Sequence, residues 1–416
     1  MVKHFSLFVN TRVSQAEAPP PECAQVLEPQ DCVAAAAEIR TWPGYRPTPL
    51  RALKGMARAA GIDELLYKDE SARFGLGSFK ALGGAHAVYR YLLRELAGRG
   101  IVEPVGFAEL VAGRYAEIVS NLTVACATDG NHGRSVAWGA QMFGCACVVY
   151  IHTHVSEARE AAIASYGARM VRVAGTYDDA VERAASDAQT HGWQVITDSS
   201  YPGYIDVPRD VIAGYTVMTD EIVTELTFER APTHVFVQAG VGALAAAVCA
   251  PLWWRYGAAR PRLIVVEPEN AACLFASAVA GRRVRIDGDL QTVMGGLACG
   301  EPALTAWPLL SAGVHGFMHL DDSVALDTMR RLAAGEGGDA PIVGGETGVA
   351  GLAGCLALCS DTRAAGELGL GQHSRVLVFG TEGDTDAERY ARIVGESGER
   401  VRARQASFRR RQDRTS

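Results

Sequence analysis

The stretch RFGLGSFKALGGA, Arg73 to Ala85, sets a single cation among glycines and small apolar residues. The apolar spacing of the ALGGAHAVYRYLLREL that follows predicts a helix, with Lys80 in its first turn. A cation there meets the wrong end of the helix dipole, and a small apolar setting disfavours its charge. Both effects predict that Lys80 is held as the neutral amine, the form that attacks a carbonyl to make a Schiff base. A solvated first-turn lysine would read the same way, so the chemistry depends on what accompanies it.

The first companion is THVFVQAGVGALAAAV, a strand, a glycine turn and an Ala-rich helix, in which Gly240, Gly242 and Ala245 follow the spacing G-x-G-x-x-A. The next strand, RLIVVEP, ends with Glu267 where a ribose-binding acid would stand, so the pattern fits a dinucleotide fingerprint. Physically it specifies only backbone N–H groups converging on an anion at a helix N-terminus. A lone phosphate, or close packing of helix on strand, satisfies it equally well.

The second companion is TVACATDGNHGRSVAW, a strand running into Thr128, Asp129, Gly130, Asn131, His132 and Gly133 and then a helix. N–H groups at such a turn can bind a carboxylate, and Asn131 can hydrogen-bond a phenolic oxygen; helix capping by Asp or Asn is the plainer alternative. The third is VLVFGTEGDTD, where a strand delivers Gly380 and Thr381. His152 and His154 lack a third metal ligand, and Tyr177 and Asp178 in GTYDDA read as a turn and a helix start. No metal constellation stands out.

These residues need a frame. With 416 residues, 48% hydrophobic and 21% charged, the chain is too long for one ordinary core, and two domains are expected. A formal net charge of -7 argues against a nucleic-acid partner. Ten cysteines without C-x-x-C spacing give neither a disulfide scaffold nor a zinc site, and predict a cytoplasmic compartment. The N-terminal MVKHFSLFVNTRVSQAEAPPPE makes a poor signal peptide, and no apolar run approaches the roughly 20 residues of a membrane span.

From about Leu66 onward, β-branched runs alternate with Ala-rich stretches of helical length. Strands are predicted at LTVACAT, CACVVYIH, ARMVRVAG, WQVITDS, HVFVQAG, RLIVVEP and SRVLVFGT, giving an α/β fold of open, mostly parallel sheets flanked by helices. Ligands then collect outside the carboxyl ends of the strands. The predicted division is a large domain of residues 1–85 and 190–400, a smaller α/β domain of 86–189, and a flexible Arg-rich tail of 401–416. Residues 281–322 read as a long loop region without assignable elements.

Taken in order, S-F-K, G-N-H-G, G-V-G-A-L and a last strand ending in Gly-Thr resemble the fold-type II pyridoxal-phosphate enzymes, the superfamily of the tryptophan synthase β-subunit. The strings YKDESARFGLGSFKALGGA, ATDGNHGRSVAW, GYIDVPRDVIAGYTVMTDE, QAGVGALA, VEPENAAC, MGGLACGEP, GGETGVAGLAG and TEGDTD are similar to the diaminopropionate ammonia-lyase family. The resemblance implies α,β-elimination of 2,3-diaminopropionate, of the L- and also the D-isomer, to pyruvate and two ammonia. It implies pyridoxal 5'-phosphate as cofactor, a small amino acid as substrate, and a homodimer with no nucleic-acid or membrane partner.

By the same resemblance Lys80 holds the cofactor aldehyde and then removes the α-proton of the L-isomer, Asp129 is the base toward the opposite face, and Asp198, in VITDSSYPGY, lies near the substrate amine. Phe79, Asn131, Gly240, Val241, Gly242, Ala243, Leu244 and Thr381 would contact the cofactor, and Thr128, Gly130 and His132 the substrate carboxylate. The resemblance leads one to expect serine in some relatives where Gly380 stands, which leaves open whether Gly380 or Thr381 faces the ring nitrogen. Cys273 and Cys299 match cysteines that some relatives place close together; unpaired thiols are expected in a reducing cytosol. Serine or threonine dehydration, and β-replacement through an aminoacrylate, share this machinery and stay open as alternatives. A nicotinamide dehydrogenase would explain Gly240 to Glu267 but not Lys80, and a non-catalytic relative would not need an intact lysine.

Overall fold

The computed structural model describes residues 4–128 and 130–412. Eleven strands run through them in chain order. They are β1 (Phe5–Val9), β2 (Leu50–Ala52), β3 (Glu64–Asp69), β4 (Thr123–Ala127), β5 (Ala146–His152), β6 (Arg169–Val173), β7 (Gln194–Val195), β8 (His234–Gln238), β9 (Arg262–Pro268), β10 (Gly316–Leu320) and β11 (Arg375–Gly380). They form one sheet of order β1-β10-β9-β8-β11-β3-β2 and another of order β6-β5-β4-β7. Interior pairings are parallel; β1 on β10 and β2 on β3 are antiparallel additions at the two edges of the larger sheet. All seven strands read from the sequence are present.

The buried runs HVFVQ, LIVVEP and VLVFG explain the parallel centre of the larger sheet, since strands covered on both faces need no polar alternation. Helices such as Ala350–Cys359, apolar all round and buried, cover it. One core cluster around Phe236, Ile264, Met318, Leu352 and Val378 holds this unit together.

The chain divides into two compact units, Met1–Val26, Pro47–Ala72 and Met218–Ser416 in one and Leu27–Arg46 and Arg73–Val217 in the other. The smaller unit is therefore larger than residues 86–189. Its boundary cannot fall at 85, because Lys80–Gly98 is one continuous helix packed along the helix Asn131–Phe143. The two approach so closely that a Cβ on Gly139 would lie 2.8 Å from Cα of Ala85, and the Ala85 N–H donates to Ser135 Oγ at 3.0 Å.

The expected flexible tail is also corrected: Gly398–Gln412 is a helix. Val401 is fully buried, Arg404 donates to the Ala333 carbonyl at 2.7 Å, and Arg402 pairs with Asp384. Arginine stems and heads thus anchor a segment whose composition read as solvated. Residues 281–322 likewise contain the helix Trp307–Gly313 and strand β10.

Candidate active site

Lys80 opens its helix, with Phe79 as the residue before the first turn. Its ammonium lies 2.7 Å from Asp198 Oδ2, and both side chains are about one-fifth exposed. Asp198 reaches this position from the segment after β7, three residues beyond its last strand residue. Burial lowers the lysine's affinity for its proton, as the sequence predicted, but Asp198 and then Tyr215 outweigh it, so the amine is held above its ordinary value. The expectation of a neutral amine is thereby corrected for the chain alone: the carboxylate is stronger than the dipole and the apolar setting together. Burial likewise pushes the Asp198 carboxyl up, but Lys80 and, more weakly, His132 bring it down to about 2.

Two buried polar atoms in this cluster have no hydrogen-bond partner, the Tyr215 hydroxyl and His132 Nδ1. His132 Nε2 donates to the Ile196 carbonyl at 2.8 Å, which fixes the neutral tautomer and leaves Nδ1 as an acceptor. Buried polar groups are rarely left unsatisfied, and such orphans beside a reactive amine mark a place built for a ligand.

Asn131 and His132 begin the helix Asn131–Phe143, as the turn motif predicted. Asp129 lies outside the described residues. The Thr128 side chain accepts from the N–H groups of Gly130 and Gly133, each at 3.0 Å. The Gly130 N–H is therefore taken internally, which corrects the expectation that it is free for a carboxylate.

In the larger unit, β8 runs into Gly240, Val241 and Gly242 and then the helix Ala243–Tyr256, whose first N–H groups have no intrahelical acceptor. Gly242 has φ of 101°, and a Cβ on Gly240 would lie 2.8 Å from Cys299 Sγ. Only glycine opens the backbone here. Cys273 donates to the Gly240 carbonyl at 3.6 Å, and neither Cys273 nor Cys299 is in a disulfide. Glu267 is fully buried and accepts from the backbone of Leu274 and Phe275, at 2.8 and 2.7 Å, at the start of the helix Cys273–Ala280. The acid that matched a ribose-binding position is consumed as a helix cap, so the dinucleotide fingerprint loses its specific element.

Thr381, following β11, is buried, and its hydroxyl oxygen accepts from Gln238 Nε2 at 2.8 Å. The same amide nitrogen lies 3.0 Å from the Phe379 carbonyl and 3.1 Å from that of Gly348. Because the Thr381 oxygen already accepts, its proton is free to be donated. Gly380 has no room for a side chain: a Cβ would stand 2.0 Å from the Tyr67 ring. The glycine at position 380 is thus set by Tyr67.

Comparison with known proteins decides what such a lysine and glycine loop belong to. The profile of the family described as "Pyridoxal-phosphate dependent enzyme" matches residues 41–381. The chain belongs to this family. It is 40% identical over 357 residues to the diaminopropionate ammonia-lyase of Escherichia coli, spanning 85% of this chain and 88% of that protein. The counterpart from Salmonella typhimurium is 38% identical over 360 residues, with 85% and 89% covered. The holo crystal structure of the Escherichia coli enzyme superposes with a TM-score of 0.84 at 35% identity, covering 94% of this chain and 96% of that one. A threonine deaminase from Solanum lycopersicum, 18% identical with a TM-score of 0.69 over 95% and 98% of the two chains, shares the fold. The architecture is that of the fold-type II pyridoxal-phosphate enzymes.

The residues fit the family's cofactor. An amine flanked by orphaned polar atoms suits an aldehyde, a glycine-opened helix N-terminus suits a phosphate, and a hydroxyl with a free proton suits a pyridine nitrogen. Reading the sequence missed Tyr215 and Gln238. Both lie inside strings it singled out, GYTVMTD and HVFVQAG, but as ordinary helix and strand residues. No group of three or more potential metal ligands occurs among the described residues.

Proposed function

We propose that the chain is a pyridoxal-phosphate-dependent carbon–nitrogen lyase that converts 2,3-diaminopropionate and water into pyruvate and two ammonia. The observation that carries this reading is the Lys80–Asp198 ion pair, set beside 40% identity to a protein named for that reaction. When bound, pyridoxal phosphate supplies a sink for the electrons left behind when the α-proton departs.

Lys80 is the group that takes the cofactor aldehyde and later accepts the α-proton of the L-isomer. Once its nitrogen is engaged, the Asp198 carboxylate stands in a largely buried place without its cation. A substrate with a second ammonium restores that pairing, whereas the hydroxyl of serine or threonine does not. Asp198 then keeps the β-amine protonated, which an amine needs in order to leave. Asp129 is the base for the D-isomer.

The loop Gly240–Leu244 would hold the phosphate, Phe79 and Asn131 would border the ring, and Thr381 would donate to the ring nitrogen. A neutral hydroxyl there would leave the ring uncharged, which suits elimination over transamination. Thr128 and His132 serve the substrate carboxylate, Thr128 by shaping the turn and His132 by its backbone N–H. We further infer a homodimer acting in the cytoplasm on a small amino acid. The net charge of -7 supports the absence of a nucleic-acid partner, and no helix among the described residues is long and apolar enough to cross a membrane.

The test is to incubate the cofactor-loaded protein separately with L- and D-2,3-diaminopropionate, L-serine and L-threonine, and to quantify ammonia and oxo acid. Two ammonia per pyruvate from a diaminopropionate, with the hydroxy amino acids poor, is the expected result. Preference for serine or threonine would overturn the substrate assignment.

A further inference from the structure

Lys80 must change protonation state to work as a base, and each of its neighbours answers that change differently. Among the described residues, the charged or titratable groups facing it are Asp198 from the segment after β7, His132 from the helix Asn131–Phe143, and Tyr215 from the helix Asp206–Glu225. A carboxylate only accepts hydrogen bonds, so Asp198 suits the ammonium and repels the lone pair of the neutral amine. His132 Nε2 is committed to the Ile196 carbonyl, and its Nδ1 can likewise only accept.

Tyr215 is different. Its side chain is fully buried, its ring centroid is 5.4 Å from Lys80 Nζ and 4.5 Å from the Phe79 ring, and its hydroxyl, near enough to the Lys80 amine to strengthen its hold on a proton, makes no close hydrogen bond with any described residue. The slot it occupies exists because residue 83 is glycine: a Cβ there would lie 2.3 Å from Tyr215 Cε1 and 2.8 Å from Val211 Cγ1. Burial raises the phenol's pKa, so it stays protonated through the working range.

We propose that Tyr215 is a positioning residue for Lys80, a hydroxyl that turns about its C–O bond to accept from the ammonium and to donate to the neutral amine. Asp198 holds the lysine in one state only; Tyr215 keeps it in place through both. This inference rests on Lys80 being the cofactor-binding base.

The experiment compares Tyr215→Phe and Tyr215→Leu with the native chain. The first readout needs no turnover. Cofactor-free protein is mixed with pyridoxal phosphate across a pH series, trapped with borohydride, and the label on Lys80 is quantified by peptide mass. Loss of an acceptor for the ammonium outweighs loss of a donor to the amine, because the former bond is charge-assisted. The pH midpoint of labelling is therefore expected to move down in Tyr215→Phe. The second readout is kinetics on diaminopropionate, where kcat is expected to fall about tenfold or more, as for losing a hydrogen bond to a charged group, with KM little changed.

A Tyr215→Phe protein with native midpoint and native kcat overturns the proposal. So does a midpoint that stays put in Tyr215→Phe while kcat falls equally in both variants, since that is a packing effect. If the native chain turns over no diaminopropionate, the function assigned above fails, and the labelling midpoint still decides the role of Tyr215.

Discussion

Gln238 Nε2 donates to Thr381 Oγ1 across 2.8 Å, tying the end of β8 to the residue that follows β11. Both residues are fully buried or nearly so, and the same nitrogen also serves the carbonyls of Gly348 and Phe379. The two hydrogens of one amide are thus shared among three buried acceptors.

Replacing Gln238 by leucine, close to it in volume, should therefore destabilise the protein by more than a surface change does. Leaving buried acceptors without a donor costs on the order of 1–3 kcal/mol each, with neighbouring losses not additive. Thermal unfolding of the cofactor-free chain should show a clear drop in Tm, and an unchanged Tm would mean that the network contributes little.

The depressed pKa of Asp198 makes a statement about acid stability. A carboxyl held at about 2 in the folded chain, against roughly 3.9 in an unfolded one, contributes stability that is present above the unfolded value and lost as pH falls toward the folded one. Asp198→Asn removes that contribution and leaves Lys80 buried without its carboxylate. The variant should be less stable at pH 7 and show a shallower loss of stability between pH 4 and 2, measured by denaturant titration at each pH.

Glu267 carries the opposite sign. Burial raises its carboxyl to about 8, although the backbone N–H groups of Leu274 and Phe275 pull the other way. The folded chain then binds a proton that the unfolded chain has released, so this group's contribution declines as pH rises from roughly 4.3 to about 8. Glu267→Gln should flatten that part of the stability profile. A profile that keeps its native slope in the variant would show that the slope arises elsewhere.

Gly380→Ala should be tolerated poorly, because its Cβ would fall within 2.0 Å of the Tyr67 ring. Overpacking of this kind typically costs about 1–3 kcal/mol. Combining it with Tyr67→Leu should recover part of the lost Tm relative to the sum of the single changes, a coupling that a double-mutant cycle reads directly. Simple additivity would indicate that the two positions do not meet.

The central strands were legible because long apolar runs such as RLIVVEP and SRVLVFGT have no other reading beside Ala-rich helical stretches. The two edge strands, β1 and β2, and their inner neighbours β10 and β3 were not. FSLFV, LRA and GFMHL are three to five residues long, and β3, ELLYKD, carries Lys68 and Asp69 in its buried part. Lys68 is explained by its ion pair with Glu221 at 2.6 Å, a partner 153 residues away that no local pattern reveals, and by its bond to the Thr48 carbonyl at 2.8 Å. Lys80 and Asp198 were visible through the strings around them. The charge on Lys80 was not, since the first-turn dipole is a local property and the Asp198 carboxylate arrives from 118 residues away. Tyr215 is harder still: its place depends on the absence of a side chain at Gly83.

Strand β1 lies antiparallel against β10 and forms that edge of the larger sheet. Shortening the chain past Val9 would leave Gly316–Leu320 with a row of unanswered backbone donors and acceptors on an apolar strand. Such an edge recruits strands from neighbouring molecules. The brief apolar run at the start of the chain, which carries no chemistry, thus answers the backbone of β10 and takes its place as the rim of the sheet.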